Sequence, residues 1–138
     1  MATAAMMGVS FTVVITDNRG FGCINRLQMG TGGAEFNNLL DTAIHETPSA
    51  IDFAAHAAAM GARAVTVDNP AELAEAFKAA KAADTTNVIV MKVDAYDGWT
   101  TEGHTWWEVG TPHVSDRESI REKHAEIEAE RAKQRRGV

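Results

Sequence analysis

Residues 11–28 read FTVVITDNRGFGCINRLQ, and the fold of the chain turns on how this stretch is read. Phe11, Val13, Val14 and Ile15 make a short apolar run that stops at Thr16-Asp17-Asn18. A glycine-punctuated turn, Arg19-Gly20-Phe21-Gly22, leads into a segment of helical character from Cys23 to Gln28. An open α/β sheet binds ligands where a buried strand ends, beside glycines and side-chain oxygens. The Asn18 amide and the Gly20 carbonyl are oxygens of the kind magnesium takes, since that ion accepts few protein ligands and fills the rest with phosphate and water. The same Asp-Asn-x-Gly pattern is also ordinary turn chemistry. Taken alone, the residues leave both readings open.

Upstream, residues 2–7 are good helix formers and Gly8 is placed to end a helix, so the chain is expected to begin in the middle of an element. Downstream, Met29-Gly-Thr-Gly-Gly33 breaks regular structure, and a polar passage through Asn37-Asn38 to Pro48 reads as a long loop rather than a phosphate cradle. Ser49 fits an N-cap with Asp52 three residues on. The helix 50–60 is nearly all alanine with Ile51, Phe53 and Met60, which predicts a buried helix closed by Gly61, with Asp52 and His56 hydrogen-bonded inside it. A strand at 64–67 follows. Pro70 then opens a helix whose stripe is Leu73, Ala76, Phe77 and Ala80, ending at Asp84-Thr85-Thr86. The strand 87–93 is continuously apolar over Val88-Ile89-Val90-Met91, as in a parallel sheet covered on both faces. This order predicts an α/β fold, a three-layer α/β/α domain with a parallel sheet and right-handed crossovers, over residues 1–95.

Residues 96–138 differ in character. Tyr96, Trp99, Trp106 and Trp107 lie in a stretch without a period and are expected to cover apolar surface on this domain or on a partner. A charged helix is predicted over 116–136, with Glu118/Arg121, Glu128/Arg131 and Glu130/Lys133 at i, i+3 and only Ile120 and Ile127 as large apolar side chains.

The composition narrows the function classes. A net charge of -6 over 138 residues argues against a nucleic-acid partner. Cys23 is the one cysteine, so no intrachain disulfide forms and a reducing, cytoplasmic setting is the expectation. No apolar run is long enough to span a bilayer, and the opening residues lack the basic start of a secretory signal, so no membrane partner is expected. Cys23 reads as a small buried hydrophobe rather than a nucleophile. His45-Glu46 reads as an exposed loop pair, and His104, His113 and His124 share no metal-ligand spacing. Neither a dinucleotide fingerprint nor a P-loop pattern occurs.

FTVVITDNRGFGCINRLQ resembles the second half of the cofactor motif in the C-terminal, diphosphate-binding domain of thiamine-diphosphate enzymes. There an apolar strand ends in Asn-Asn or Asp-Asn followed by x-Gly-(Phe/Tyr)-Gly. DNRGFGCINRLQ, TGGAEFNNLL, IDFAAHAAAMGARAV and the Trp106-Trp107 pair with Pro112 and Val114-Ser115 are together similar to the trihydroxycyclohexanedione hydrolases of myo-inositol catabolism. The resemblance implies a thiamine diphosphate and Mg2+ site. Asn18 would be the side-chain ligand of the metal, Gly20 a backbone-carbonyl ligand, and Phe21 and Gly22 further cofactor-binding positions. Asp17 would have a supporting role, and no catalytic residue is assigned. It also implies hydrolytic C–C cleavage of a small cyclic polyol-dione.

The family's Gly-Asp-Gly, whose aspartate is the other protein ligand, has no counterpart among the residues before Asn18. The chain therefore reads as a C-terminal piece with the N-terminal part of its domain missing, inactive alone. Its expected partners are the N-terminal and pyrimidine-binding domains and, through uncovered apolar faces, further copies in a homo-oligomer. Two alternatives stay open: a piece of another thiamine-diphosphate enzyme, such as an acetolactate-synthase-like one, or a non-catalytic α/β interaction module working through the tryptophan segment and charged tail.

Overall fold

A computed structural model of the chain describes residues 1–47, 51–95 and 110–135. Its elements run α1 (Ala2–Met6), β1 (Thr12–Asp17), α2 (Gly22–Gly30), α3 (Phe53–Ala59), β2 (Arg63–Val67), α4 (Pro70–Ala82), β3 (Asn87–Lys92) and α5 (Glu118–Arg131). They fall into two compact units. One comprises Met1–Asn18 with Glu46–Asp94, the other Arg19–His45 with Ala95–Val138.

The first unit is the sheet. Its three strands are all parallel in the order β1-β3-β2, with Val14 opposite Ile89 and Ile89 opposite Val65. Side chains of a strand alternate between faces, and β3 divides its apolar run accordingly. Val88 and Val90 join Ala57 and Ala62 on one side, against Val13, Ile15, Phe53 and Ala54. Ile89 joins Val67 and Ala80 on the other, against Leu73, Ala76 and Met91. Helix α3 thus covers one face and α4 the other, which is the three-layer α/β/α arrangement around a parallel sheet expected from the pattern of strands and helices.

Helix α4 starts where its sequence says. Asn69 accepts from the Glu72 N–H at 2.9 Å, Pro70 takes the first turn, and a Glu72 carboxylate oxygen accepts from the Asp68 N–H at 3.0 Å. Gly8 and Gly61 follow α1 and α3 with φ of 68° and 89°, a region that favours glycine.

Helix α3 corrects the sequence reading in two ways. It begins at Phe53, and its N-cap is Asp52, whose carboxylate accepts from the Ala55 N–H at 2.8 Å. Ser49 lies outside the described residues. The helix is also largely exposed: Ala57 is buried, whereas Ala55, His56, Ala58 and Ala59 face out. His56 and Asp52 do not form a core pair, because the aspartate serves the backbone, the preferred use of such a side chain at a helix start. Alanine forms helix without needing burial, so an alanine-rich segment does not imply a helix enclosed on all sides.

In the second unit, α5 is shorter than the 116–136 segment and buries Ile127. Two of the anticipated ion pairs form, Glu128–Arg131 at 2.8 Å and Glu130–Lys133 at 2.5 Å. Arg121 instead donates to the Ser115 carbonyl, and Lys123 pairs with Glu126. Exposed pairs of this kind contribute about 0–1 kcal/mol each. Gly32, with φ of 85°, lies so close to the Ser119 and Ile120 backbone that any side chain would clash, and its carbonyl accepts from the Ser119 hydroxyl at 2.6 Å. The tryptophan-bearing residues 96–109 lie outside the described residues. Among the described residues no helix is long and apolar enough to cross a membrane.

Candidate functional site

Strand β1 delivers Asp17 and Asn18 to the carboxyl end of the sheet, the end at which open parallel sheets bind ligands. The Asp17 carbonyl accepts from the Val93 N–H at 3.0 Å, which fixes the end of the strand, and Asn18 is half-buried directly beyond it.

The turn that follows belongs to the second unit. Arg19 has φ of 56°, a left-handed conformation uncommon for a residue with a side chain. Gly20 forms an isolated antiparallel bridge with Leu39. The two hydrogen bonds that flank it run from the Phe21 N–H to the Asn38 carbonyl (2.7 Å) and from the Leu40 N–H to the Arg19 carbonyl (2.9 Å). A Cβ at Gly20 would stand 2.5 Å from the Asn38 oxygen and 2.8 Å from the Leu39 Cα. Glycine is therefore required there by backbone approach.

Helix α2 opens immediately after. Phe21 is its N-cap residue and makes no side-chain cap, Gly22 is buried, and the first intrahelical N–H is that of Asn25, donating to the Phe21 carbonyl at 2.9 Å. The N–H groups of the first turn have no carbonyl of the helix to meet. Together with the positive end of the helix dipole, they are the donors that phosphate oxygens take. Phe21 is 71% exposed.

The phase of α2 differs from a hydrophobic reading of its sequence. Ile24 and Leu27 point outward, Cys23 is exposed rather than buried, and the inward positions are Gly22 and Asn25. Asn25 donates to the Glu35 carboxylate at 3.2 Å and accepts from the Asn38 amide at 3.4 Å. Asn38 also donates to the Gln28 side-chain oxygen at 2.6 Å, and Thr42 donates to Glu35 at 3.1 Å. These amides order the long loop after α2, and sequence reasoning missed them. The available signal was the amide pair Asn25 and Gln28, spaced i, i+3 on one helix face, followed by Asn37-Asn38.

The His45 Nε2 meets the Leu40 carbonyl at 3.0 Å on an exposed loop. His113 and His124 make a T-shaped ring contact at 5.1 Å, and the His124 Nδ1 meets the Thr111 hydroxyl at 2.8 Å. Among the described residues no group of three or more His, Cys, Asp or Glu is arranged to hold a metal.

The family model described as thiamine pyrophosphate enzyme, C-terminal TPP binding domain, matches residues 1–91, most of the chain and all of the sheet but the last residue of β3. The chain belongs to this family. Its relatives include proteins named 3D-(3,5/4)-trihydroxycyclohexane-1,2-dione hydrolase from Halalkalibacterium halodurans (35% identical over 147 aligned positions) and Bacillus subtilis (33% over 142), each match covering 97% of the chain. A protein of the same name from Bacillus cereus is 37% identical over 131 positions, covering 87% of the chain. The chain spans about a fifth of the length of these relatives (21%, 21% and 19%). The parallel sheet observed here is a partial form of the family's TPP-binding α/β domain. The donors at the β1 end and at the start of α2 fit the group in kind: amide and carbonyl oxygens for a hard cation, backbone N–H groups for a diphosphate.

Proposed function

We propose that this chain is the diphosphate-binding part of a thiamine-diphosphate- and magnesium-dependent hydrolase that cleaves a C–C bond of a cyclic 1,2-dione in inositol catabolism, and that it is inactive by itself. The observation that carries the reading is the four-residue passage from β1 to α2, which sets Asn18, the space-restricted Gly20 and an uncapped helix start in immediate succession. Asn18 would hold magnesium through its side-chain oxygen and Gly20 through its backbone carbonyl. The first-turn N–H groups of α2 would take diphosphate oxygens, with Gly22 as a further cofactor-binding position. Phe21 presents an apolar ring that a bound cofactor would cover. When bound, thiamine diphosphate supplies an electron sink for C–C cleavage; the part of this chain is to anchor, orient and exclude water.

The substrate class comes from the relatives' name, and the remaining four-fifths of their length is the proposed source of the partner domains. The exposed apolar positions Ile24 and Leu27 of α2, and Val14 and Phe77 of the sheet unit, are consistent with surfaces that further domains or further copies cover. The isolated chain is accordingly expected to self-associate, and sedimentation velocity over a concentration series checks this. Sedimentation as a monomer at every concentration would remove the argument from uncovered surface.

Calorimetric titration with magnesium and thiamine diphosphate tests the site. The expected result is saturable binding that Asn18→Ala weakens about tenfold or more, the loss typical when a metal site is disturbed. The measurement is made on the chain and on a version extended by its upstream coding segment. Absence of binding in both overturns the reading.

A further inference from the structure

Asn25 occupies the position in α2 where an amphipathic helix would place its most buried apolar residue, and it is 2% exposed. A buried amide is tolerated only when both its donor and its acceptor are met. Here the Nδ2 donates to the Glu35 Oε1 at 3.2 Å and approaches the Met29 sulfur at 3.6 Å, while the Oδ1 accepts from the Asn38 Nδ2 at 3.4 Å. Asn38 is held a second time by the Gln28 Oε1 at 2.6 Å, and Glu35 by the Thr42 hydroxyl at 3.1 Å. Asn38 is where this network reaches the turn. Its main-chain carbonyl accepts from the Phe21 N–H at 2.7 Å and lies against the face of Gly20 that has no room for a Cβ.

The side-chain amide of Asn25 therefore fixes the residue whose carbonyl fixes Phe21 and Gly20. We propose that Asn25, acting through Asn38, is the positioning residue of the Gly20–Gly22 turn. It sets the Gly20 carbonyl and the first N–H groups of α2 in the arrangement that receives magnesium and diphosphate. The inference rests on the function proposed above, and it goes beyond it by assigning affinity to a buried residue that touches neither metal nor cofactor. No other side chain of similar size meets the requirement. Leucine offers neither donor nor acceptor, and aspartate keeps the shape but sets a second carboxylate against Glu35.

That last point supplies the test, because the chemistry can be broken and restored. Asn25→Asp removes the donor to Glu35 and adds like-charge repulsion; combining it with Glu35→Gln returns a donor on the opposite partner. Two readouts are taken on each variant: amide hydrogen exchange at Phe21 and Leu40 by NMR, and calorimetric affinity for magnesium with thiamine diphosphate, using the version of the chain that binds as wild type. Asn25→Asp is expected to speed exchange at both amides and to weaken binding about tenfold or more, as loss of outer-shell partners does elsewhere. The double variant is expected to recover both to within about threefold, the signature of direct coupling. Ile127→Val, a change at a buried position of α5 in the same unit that takes no part in the hydrogen bonds of the network, is expected to lower stability while leaving affinity unchanged.

Should Asn25→Asp not fold, Asn38→Ala, which keeps the main-chain carbonyl but loses its side-chain anchors, is expected to show the same two effects. Wild-type exchange and affinity in Asn25→Asp would overturn the inference, as would a double variant no better than the single one. Faster exchange with unchanged affinity would also overturn it while leaving the proposed function standing. If the wild type binds nothing in either form, the proposed function fails. The exchange arm then still decides whether Asn25 sets the turn, unchanged protection in Asn25→Asp being the result that ends that claim too.

Discussion

Gly20→Ala is expected to lower the stability of the chain by about 2–4 kcal/mol and to weaken magnesium–thiamine diphosphate binding about tenfold or more. The added methyl group would meet the Asn38 carbonyl oxygen at 2.5 Å, the Leu39 Cα at 2.8 Å and the Leu39 Cδ2 at 2.9 Å. A flexible side-chain end can swing away from such a contact, but the first two atoms are main chain, and Leu39 is buried. Relief requires the bridge between residues 20 and 39 to open. The Phe21–Asn38 and Leu40–Arg19 hydrogen bonds that flank it would open with it. Overpacking costs about 1–3 kcal/mol, and each lost hydrogen bond about 0.5–1.5 kcal/mol net.

Under the proposed function the same movement displaces a metal-binding carbonyl and the start of α2, so affinity falls with stability. Gly30→Ala is the control. A Cβ at that position, at the far end of the same helix, has nothing within 4 Å, so the change is expected to be neutral or slightly stabilising. Thermal denaturation followed by calorimetric titration of both variants checks the pair. Equal behaviour of the two would mean that the close approach at Gly20 does not matter.

What could be read in advance follows a physical divide between local and distant interactions. The β1 and β3 runs and the Asn69-Pro70 start are written in contiguous residues, through periodicity and capping chemistry, and they stand where the sequence puts them, as do Leu73, Ala76 and Ala80 of the α4 stripe, whereas its Phe77 is 43% exposed. The turn at 17–22 was legible for the same reason, helped by its resemblance to a family motif. Local signals failed where two were equivalent. Ser49 and Asp52 both suit an N-cap, and Asp52 is the one that accepts from the helix, through the Ala55 N–H.

They failed more completely where partners are remote. Asn25 meets Glu35 across 10 residues and Asn38 across 13, and the amide pair Asn25 and Gln28 does not by itself say which residues it meets. Hydrophobicity pointed the wrong way there. Ile24 and Leu27 look like the inward face of α2, yet the helix is rotated so that an amide faces in and the apolar residues face out. The long loop after α2 is organised by those amides, whose pairing is not set by their neighbours in sequence.

A core substitution separates stability from binding. Ile89→Ala is expected to cost about 2–5 kcal/mol, within the range for large-to-small changes at buried aliphatic positions. Ile89 is 1% exposed on the central strand, between Val14 and Val65, and packs against Val67 and Ala80 with Leu73, Ala76 and Met91 around it. Neighbours on two strands and a helix leave little freedom to collapse into the space of the lost carbons, so the cavity persists. Against a total stability of about 5–15 kcal/mol this is a large share, and a fall in Tm of about 10 °C or more follows.

Val14→Ala, on the neighbouring strand but 40% exposed, is expected to cost far less, since solvent already reaches that side chain. Neither position belongs to the turn at 18–22. At a fixed excess of magnesium and thiamine diphosphate, the stabilisation by ligand depends only on its concentration relative to Kd. Ile89→Ala should therefore show a lowered Tm with the ligand-induced increment preserved, whereas Asn18→Ala should show a reduced increment whatever its Tm without ligand. Paired melts with and without ligand measure both quantities. An increment lost in Ile89→Ala at temperatures where it is folded would mean that the sheet core and the turn are coupled, and that the site is not confined to the end of β1 and the start of α2.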